Sequence, residues 1–486
     1  VTTTEGAVPQ RSLDRFGHWS GETPEALTLT NIIGVLPGTD RSLPAVAIMS
    51  HYDTVWASPG APDDTAGVAT TIETLRAIKQ AGTPKRDVIG LITDGEELGL
   101  LGARQFFGET GAANPLSDRI GAIINLEARG GGGRTTLFQT SAGNAPAVKL
   151  YSDAVSTPAG SSLSAFVYEV LPNDTDLTPA LKRDYVAYNL GFIGRSGLYH
   201  SPKATPDALD QGALQDMGAQ TLALTKALVN AAELPTKTKN ITFSDVFGLF
   251  LMSYGAVMGW ILLAVTAALH IYCWRTNAGE KGWLKSLGAT AIVLIGGGVV
   301  LYLFNWLSGA GSGEANYYDR LAAIPKLEVQ AALICIAMLA ASAPLWAGRH
   351  GTIVGVLVAL AAHIYAPTTA YLIVWPLLLS GLAGVISAKW DAPWAKISVG
   401  ALGAVVLGFL LQYGHQLMQG VGPDLPSTVA LLAALMLPML GLLVPSVDRK
   451  KALGLAGICL VLAAAIALWV RFDPVADTVA AYESLK

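Results

Sequence analysis

Cysteine is scarce in this 486-residue chain. There are only three, Cys273, Cys335 and Cys459, and all lie in long apolar stretches of the second half. The first half therefore has neither a disulfide framework nor a cysteine metal site. The three thiols are interpreted as small packing residues.

Basic residues are also in short supply in the first half. Residues 1–242 contain 19 Lys and Arg against 25 Asp and Glu, which gives this part a net charge of −6. The basic residues form no stripe along the sequence. Nucleic acid binding needs concentrated positive charge, so we exclude nucleic acid as a partner.

The second half lacks long polar segments. The mean hydropathy of +0.45 is too high for a single soluble globule. The composition changes near residue 240, and it predicts a soluble domain over residues 1–240 and a transmembrane domain over residues 241–486. The chain begins with Val1 rather than Met, which is compatible with an absent or processed upstream segment.

Eight apolar stretches of the second half are candidate membrane spans, because a helix needs about 20 apolar residues to cross a bilayer. They are Leu249–Cys273, Leu287–Trp306, Val329–Trp346, Ile353–Tyr365, Tyr371–Ile386, Ile397–Leu411, Thr428–Val444 and Leu453–Val470. The fourth and fifth are short, and they form either two spans or one broken, re-entrant pair.

Basic residues are unevenly divided between the connections. The odd-numbered connections carry nine: Arg275, Lys281, Lys285, Arg349, Lys389, Lys396, Arg449, Lys450 and Lys451. The even-numbered connections and the tail carry four: Arg320, Lys326, Arg471 and Lys486. The positive-inside rule then predicts cytoplasmic odd connections, an even number of spans, and an extracytoplasmic soluble domain.

Polar side chains in or directly beside the predicted spans include His270, Asn305, His363 and Gln412. Intramembrane polar groups mark transport paths in some proteins. There is no spaced pair of charges and no internal repeat, so hydrogen bonding between helices is the favoured interpretation. Transport is the minor alternative.

The first half alternates between strand and helix patterns. Short apolar runs at 45–49, 88–92 and 120–126 predict buried strands, and 65–81, 98–107 and 209–232 predict helices. Alternating strands and helices predict an α/β fold, a three-layer α/β/α domain around a mostly parallel mixed sheet. An all-α, multi-span transmembrane domain follows it.

Polar residues gather where the predicted strands end. Glu96 and Glu97 follow the strand at 88–92. Adjacent carboxylates repel each other, so a protein keeps such a pair where a cation or a shared proton makes it useful. His51 follows the first strand, and Asp53 is close enough to fix its tautomer. Glu127 ends the third strand. The carboxyl edge of such a sheet is where sites are built.

Two further groups extend this set. Asp63 and Asp64 begin a predicted helix, where acids serve either as caps or as ligands. The first half contains three histidines, His18, His51 and His200, and His200 is the second candidate ligand among them. Two imidazoles and three carboxylates suit a pair of zinc ions that share one bridging carboxylate.

Five segments in this order resemble the motif set of the co-catalytic di-zinc aminopeptidase family, which includes secreted bacterial leucyl aminopeptidases. They are Ser50-His51-Tyr52-Asp53-Thr54, Ala61-Pro62-Asp63-Asp64-Thr65-Ala66-Gly67, Asp94-Gly95-Glu96-Glu97-Leu98-Gly99, Asn125-Leu126-Glu127-Ala128-Arg129-Gly130 and Leu198-Tyr199-His200-Ser201-Pro202. With its multi-span second half, the chain resembles the membrane-bound branch of endoplasmic reticulum metallopeptidase-like proteins, vacuolar membrane proteases and bacterial relatives. The segments Asn125 to Gly130 and Asn173-Asp174-Thr175-Asp176-Leu177 are also similar to segments of that branch.

The resemblance implies a role for each matching residue. His51 and Glu127 bind one zinc ion, Glu97 and His200 bind the second, and Asp63 bridges both. Asp53 orients His51, and Glu96 is the general base that moves a proton between the bridging water and the leaving amine. Tyr199 is either an oxyanion donor or a packed aromatic beside a ligand. Asp64 is structural.

A membrane-anchored aminopeptidase acting on peptides is therefore expected, with two zinc ions as cofactors and the lipid bilayer as a second partner. A glutaminyl-cyclase-like acyltransferase with one zinc, a non-catalytic receptor and a transport-associated domain are the alternatives. The expected location is a bacterial inner membrane with the peptidase domain in the periplasm, or a eukaryotic endomembrane with that domain in the lumen. The sequence leaves the oligomeric state and the substrate side chain open.

Overall fold

A computed structural model describes residues 2–4, 8–22, 25–171, 173–276, 282–310, 317–346, 352–444 and 447–473. Lys281, Arg349 and Lys486, which entered the charge argument, lie outside these residues. The chain forms two compact units, and the division falls between Ser253 and Tyr254.

The first unit is built around a seven-stranded mixed sheet. Its strands are β1 (Thr2–Thr4), β2 (Leu29–Leu36), β3 (Ala45–His51), β4 (Val88–Thr93), β5 (Ile120–Ala128), β6 (Thr136–Thr140) and β7 (Val186–Phe192). They are ordered β1-β2-β4-β3-β5-β7-β6. The four central strands β4, β3, β5 and β7 are parallel, and the outer strands pair antiparallel.

Helices cover both faces of this sheet. They are α1 (Gln10–Ser20), α2 (Ala66–Ala81), α3 (Leu101–Phe106), α4 (Ala145–Ala154), α5 (Ser162–Val170), α6 (Leu177–Ala180) and α7 (Gln211–Asn230). Strand β3 is buried on both sides because Val46 and Ile48 pack in one core while Ala47 and Met49 pack in the other. The predicted α/β class and three-layer arrangement are confirmed.

The first unit continues past residue 240, where the sequence placed the boundary. Strands β8 (Thr242–Val246) and β9 (Phe250–Tyr254) form a hairpin. Ser162 at the start of α5 holds β8, since its Oγ donates to the carbonyl of Phe243 at 3.1 Å and accepts from the Phe243 amide at 3.1 Å. Residues 249–254, predicted as the start of a span, therefore lie in an extended hairpin rather than in a membrane helix.

The second unit is helical. Its helices are α8 (Ala256–Thr276), α9 (Gly282–Ala291), α10 (Gly297–Asn305), α11 (Tyr317–Ala322), α12 (Ile324–Ser342), α13 (Ile353–Tyr365), α14 (Tyr371–Lys389), α15 (Pro393–Val421), α16 (Val429–Leu443) and α17 (Arg449–Phe472). Helices α9 and α10 join through Ile292–Gly296 into one apolar helix over Leu284–Ala310.

Among the described residues, seven helices are long and apolar enough to cross a membrane, one fewer than the eight candidate stretches. The exception is α13, whose 13 residues extend about 20 Å, whereas the hydrocarbon core is about 30 Å thick. The eight candidate stretches thus correspond to seven such helices and one short one, the fourth, which is also short in the sequence. Helix α13 nevertheless reverses the direction of the chain, as a full-length span would, and its packing against α8 shows this.

Contacts along α8 give the directions of its neighbours. The ring of Trp260, near the start of α8, lies 4.5 Å from that of His363, near the end of α13. Further along α8, the His270 Nδ1 accepts from the amide of Thr352, just before α13, at 3.2 Å. Helix α13 thus runs antiparallel to α8.

Helix α14 runs in the same direction as α8. The Nε2 of His270 lies 2.9 Å from the carbonyl oxygen of Leu377, and the Lys389 ammonium lies 5.5 Å from the ring centre of Tyr272.

Helices α14 and α15 pack antiparallel, because Tyr371 is hydrogen bonded to Tyr413 and the ring of Trp375 lies 5.5 Å from that of Phe409. Matching contacts make α10 and α12 antiparallel, and α15 and α16 as well. The chain therefore makes eight alternating passes, α13 included, and both ends of the unit lie on one side of it.

Candidate metal centre

The predicted site residues meet at one edge of the sheet. His51 ends β3, Glu127 lies at the end of β5, and Glu96 and Glu97 follow β4. These strands are parallel, so their carboxyl ends lie side by side. His200 comes after β7, the fourth parallel strand, which completes the convergence.

One cluster contains His51, Asp63 and Glu127. The His51 Nε2 lies 3.2 Å from Asp63 Oδ1 and 3.8 Å from Glu127 Oε2. All three side chains are buried, and one oxygen of each carboxylate faces the imidazole nitrogen.

A second cluster contains Asp63, Glu97 and His200. The His200 Nε2 lies 3.2 Å from Asp63 Oδ2 and 3.0 Å from Glu97 Oε1. Asp63 belongs to both clusters, and its two oxygens face different imidazoles. The five residues predicted as ligands are thus brought together in two groups of three with Asp63 between them.

The donor set and its spacing fit zinc. Zinc is bound by imidazole nitrogen and carboxylate oxygen at about 2.0–2.2 Å, and tetrahedral ligands at that distance lie about 3.3 Å apart. The separations of 3.0 to 3.8 Å between the facing atoms are close to this value. Little movement of the side chains is needed for each cluster to hold an ion.

Asp53 ties two strand ends together. Its carboxylate accepts hydrogen bonds from the backbone amides of Glu96 and Glu97, each at 3.0 Å. The His51 Nδ1 lies 3.0 Å from the backbone carbonyl of Asp53 and 3.5 Å from its carboxylate Oδ1. The nearer acceptor for a proton on Nδ1 is therefore the backbone carbonyl, whereas the sequence pointed to the carboxylate.

Glu96 lies beside the clusters without belonging to either of the two groups found among the described residues. Burial raises the pKa of Glu96 well above its ordinary value, and the carboxylates of Glu127 and Glu97 raise it further.

Tyr199 stacks on one of the predicted ligands. Its ring centre lies 3.7 Å from that of His200, at an interplanar angle of 22°. Burial raises the pKa of Tyr199 well above its ordinary value, and the carboxylates of Asp63 and Glu97 add to the shift. The phenol therefore keeps its proton and can donate it in a hydrogen bond.

The site concentrates buried acidic groups. Burial raises the pKa of Glu127 to about 8 and that of Asp176 to about 7. Burial acts in the same direction on Asp63, but hydrogen bonds from His200 and His51 outweigh it and lower the pKa of Asp63. Buried carboxylates this close together need a cation, or protons, to offset their mutual repulsion.

Asp64 lies behind the clusters, as its structural interpretation implies. It is fully buried, and its carboxylate accepts from the backbone amides of Gly67 at 3.1 Å and His51 at 3.3 Å. The peptide bond between Asp63 and Asp64 is cis. Asp64 thus connects the start of α2 to the end of β3.

Sequence reasoning missed several supporting residues. Arg15 of α1 donates to the carbonyl of Glu97 at 2.7 Å, and nothing in the sequence pattern links these distant positions. Asn125 donates to Glu127 at 3.1 Å, and Asp176 is hydrogen bonded to Thr93. The signal for the last two was present, because both residues belong to segments that resemble the membrane-bound branch.

The fold and the two clusters define the first unit as an α/β domain with two candidate metal sites at the carboxyl edge of its sheet. Residues 31–225 match the family model described as peptidase family M28. The resemblance that the motifs indicated is thereby confirmed for this region of the chain.

Membrane proteins are among the relatives. The chain is 31% identical over 299 residues to human endoplasmic reticulum metallopeptidase 1, a match that covers 58% of this chain and 32% of that protein. It is 29% identical over 275 residues to the vacuolar membrane protease of Yarrowia lipolytica, covering 53% and 27%. The chain thus spans about a third of the length of these curated relatives.

Solved structures give a weaker likeness. The aminopeptidase from Aneurinibacillus sp. strain AM-1 is 20% identical, with a TM-score of 0.35, over 44% of this chain and 52% of that one.

Proposed function

We propose that this protein is a membrane-anchored zinc metallopeptidase that removes N-terminal residues from peptides. The observation that carries the proposal is the pair of clusters that share Asp63, each with one imidazole and two carboxylates. The family match over residues 31–225 supports the same reaction class.

Five side chains hold two zinc ions in this proposal. His51 and Glu127 would hold one, Glu97 and His200 would hold the other, and Asp63 would be a ligand common to both. Zinc held there would supply an activated water as nucleophile and Lewis-acid polarisation of the scissile carbonyl.

Glu96 acts as the general base. It accepts a proton from the attacking water and returns it to the leaving amine. Its position next to Glu97, but outside both clusters, supports this role, because a ligand carboxylate has its lone pairs occupied whereas Glu96 keeps them.

Two neighbours complete the proposed machinery. Asp53 fixes the backbone of Glu96 and Glu97 and, through its carbonyl, the ring of His51. Tyr199 donates a hydrogen bond to the oxyanion that develops on the substrate, since its proton is retained beside the carboxylates.

The peptidase unit is proposed to face away from the cytoplasm. The nine-to-four division of basic residues supports a cytoplasmic location for the odd connections. The alternating passes support an even number of crossings. A bacterial inner membrane, with the peptidase unit in the periplasm, is the proposed setting, and a eukaryotic endomembrane is the alternative.

The test is metal content and substrate preference of the purified full chain. We expect about two zinc ions per chain and hydrolysis of an aminoacyl chromogenic amide, with no hydrolysis of its N-acetylated counterpart. Cyclisation of a peptide with N-terminal glutamine would instead favour the acyltransferase alternative. A protein that binds zinc but cleaves neither amide contradicts aminopeptidase activity.

A further inference from the structure

A chain of buried hydrogen bonds runs from one proposed ligand to a surface turn. The Asn125 Nδ2 donates to Glu127 Oε1 at 3.1 Å and to Asn189 Oδ1 at 3.0 Å. The Asn189 Nδ2 in turn donates to Thr175 Oγ1 at 3.0 Å. We call Asn125, Asn189 and Thr175 the amide relay; it links β5, β7 and the turn before α6.

The relay members are withdrawn from solvent. Asn125 and Asn189 are fully buried, and Thr175 is 7% exposed. The second Asn189 Nδ2 bond, to Gln139 Oε1 at 2.9 Å, anchors its amide to β6. Each Nδ2 donates two hydrogen bonds, so rotation of either amide would turn its oxygen toward two acceptors.

The relay distinguishes the two oxygens of Glu127. Oε1 accepts from Asn125, and Oε2 faces the His51 Nε2 at 3.8 Å. With Oε1 occupied, the carboxylate presents Oε2 to the cluster that contains His51. Partners of this kind around a metal ligand fix its orientation and commonly affect metal affinity by about 10–100-fold.

The two glutamate ligands have separate supports. Glu127 is held through its side chain by the relay, whereas Glu97 is held through its backbone by Asp53 and Arg15. Loss of a relay hydrogen bond therefore acts on the first cluster.

We propose that Thr175 and Asn189 are positioning residues that set the metal affinity of the His51–Asp63–Glu127 cluster through Asn125. The inference rests on the proposed function, because it requires metal to bind at Glu127. The proposal also gives a role to the segment Asn173–Leu177. This segment resembles the membrane-bound branch, and the ligand set alone does not explain why.

The test uses Thr175→Val, which removes the hydroxyl at nearly constant volume, and Thr175→Ser, which keeps it. Thr140→Val is a matched control, because the Thr140 Oγ1 also accepts from a buried asparagine, Asn144, at 3.0 Å. Co²⁺ and Zn²⁺ binding to the full chain is measured by competition with a chromophoric chelator, and the visible spectrum of bound Co²⁺ is recorded.

We expect Thr175→Val to weaken one of the two metal equivalents by about 10-fold and to change the Co²⁺ spectrum. Thr175→Ser and Thr140→Val should bind both equivalents as the unaltered protein does. The weakened equivalent should be the one that Glu127→Gln removes, and Thr175→Val should have no further effect in the Glu127→Gln background.

Two failures can be told apart. If the unaltered protein binds no metal, the proposed function is wrong and the relay has nothing to position. If it binds metal and Thr175→Val behaves like Thr140→Val, the relay proposal alone is wrong. Thermal unfolding checks that each variant is folded, and Thr175→Ala replaces Thr175→Val if the latter is not.

Discussion

Glu96 and Glu97 are neighbours in the sequence, but their side chains have different surroundings. Glu97 faces His200 at 3.0 Å within a cluster, and Glu96 lies outside both clusters. The carboxylate of Asp53 accepts hydrogen bonds from the backbone amides of both glutamates, and this fixes the different positions of their side chains. At the scale of single residues, the proposed ligand and the proposed base are separated by one peptide unit.

The two glutamates should respond differently to the same substitution. Glu96→Gln should lower turnover by about 10²–10⁴-fold, because the amide cannot take up the proton, while metal content stays unchanged. Glu97→Gln should instead lower metal content, since the neutral amide is a poorer ligand. Turnover assays and metal analysis of both purified variants test this, and undiminished turnover in Glu96→Gln contradicts the mechanism.

Asp87 stabilises the first unit in a pH-dependent way. Burial tends to raise the pKa of Asp87, but the Gly38 amide at 2.8 Å and the Arg119 guanidinium at 2.8 Å outweigh it, and the pKa is lowered. A lowered pKa in the folded state stabilises the protein above the unfolded value, about 3.9, and this contribution is lost as pH falls through the folded value.

Asp87→Asn should therefore lower the free energy of unfolding by about 1–3 kcal/mol at pH 7. The difference from the unaltered protein should narrow below about pH 4. Asp184→Asn is the control, because Asp184 pairs with Lys237 at the surface and is 95% exposed. Denaturant unfolding at several pH values measures both, and a difference that does not depend on pH refutes the electrostatic explanation.

At the scale of elements, periodicity predicted the strands that form the site. The runs at 45–49, 88–92 and 120–126 became β3, β4 and β5 with small changes at the ends. Their polar successors met because the strands are parallel and adjacent, which the alternating pattern also predicted. Hydropathy alone failed at residues 249–254, where an apolar run pairs in a hairpin instead of continuing α8.

Close packing of α8 and α14 depends on small residues. A side chain at Gly381 of α14 would begin 3.0 Å from the Cβ of Leu269 and 3.3 Å from the Nε2 of His270. Gly381→Leu should destabilise the helical unit by about 1–3 kcal/mol, because neither neighbour can move away without disturbing α8.

Gly400→Leu provides the control for this substitution. Gly400 lies in α15, and a Cβ there has no atom within 4 Å. Thermal unfolding of the detergent-solubilised protein should show a lower midpoint for Gly381→Leu alone. Equal loss in both variants would mean that glycine flexibility, rather than the contact with α8, sets the effect.

At the scale of the whole molecule, a peptidase-like unit is joined to a helical unit of eight alternating passes. Seven of the helices reach membrane length, and the short α13 returns the chain between α12 and α14. Helices α8 and α14 run in the same direction, and the joined α9–α10 helix and α12 lie between them. Two reversing passes would leave α14 opposite to α8, so a third pass is needed, and α13 provides it. The even number of passes therefore depends on α13, although α13 is shorter than the other seven helices.

A reporter of membrane sidedness tests this arrangement. Fused after Lys486, a reporter that is active only outside the cytoplasm should be active, because eight passes return the chain to its starting side. Fused to a chain truncated after Lys389, at the end of the fifth pass, it should be inactive. A cytoplasmic reporter after Lys486 contradicts the eight-pass topology.

The sequence by itself determined the fold class, the apolar character of the second half, and the eight residues predicted to act at the site. The first two depend on local patterns, namely strand and helix periods and hydropathy, whereas the site residues were implied by the resemblance of five short motifs to a peptidase family. A ligand motif is readable because its members must follow particular strands.

Only the tertiary structure decided which atoms meet. It gave Asp63 two imidazole neighbours, made the backbone carbonyl of Asp53 the nearest partner of His51, and joined Thr175 to Glu127 across three elements. It also gave α13 its direction. These contacts join residues far apart in the chain, and their geometry follows from sheet register and helix packing, which local sequence patterns do not encode.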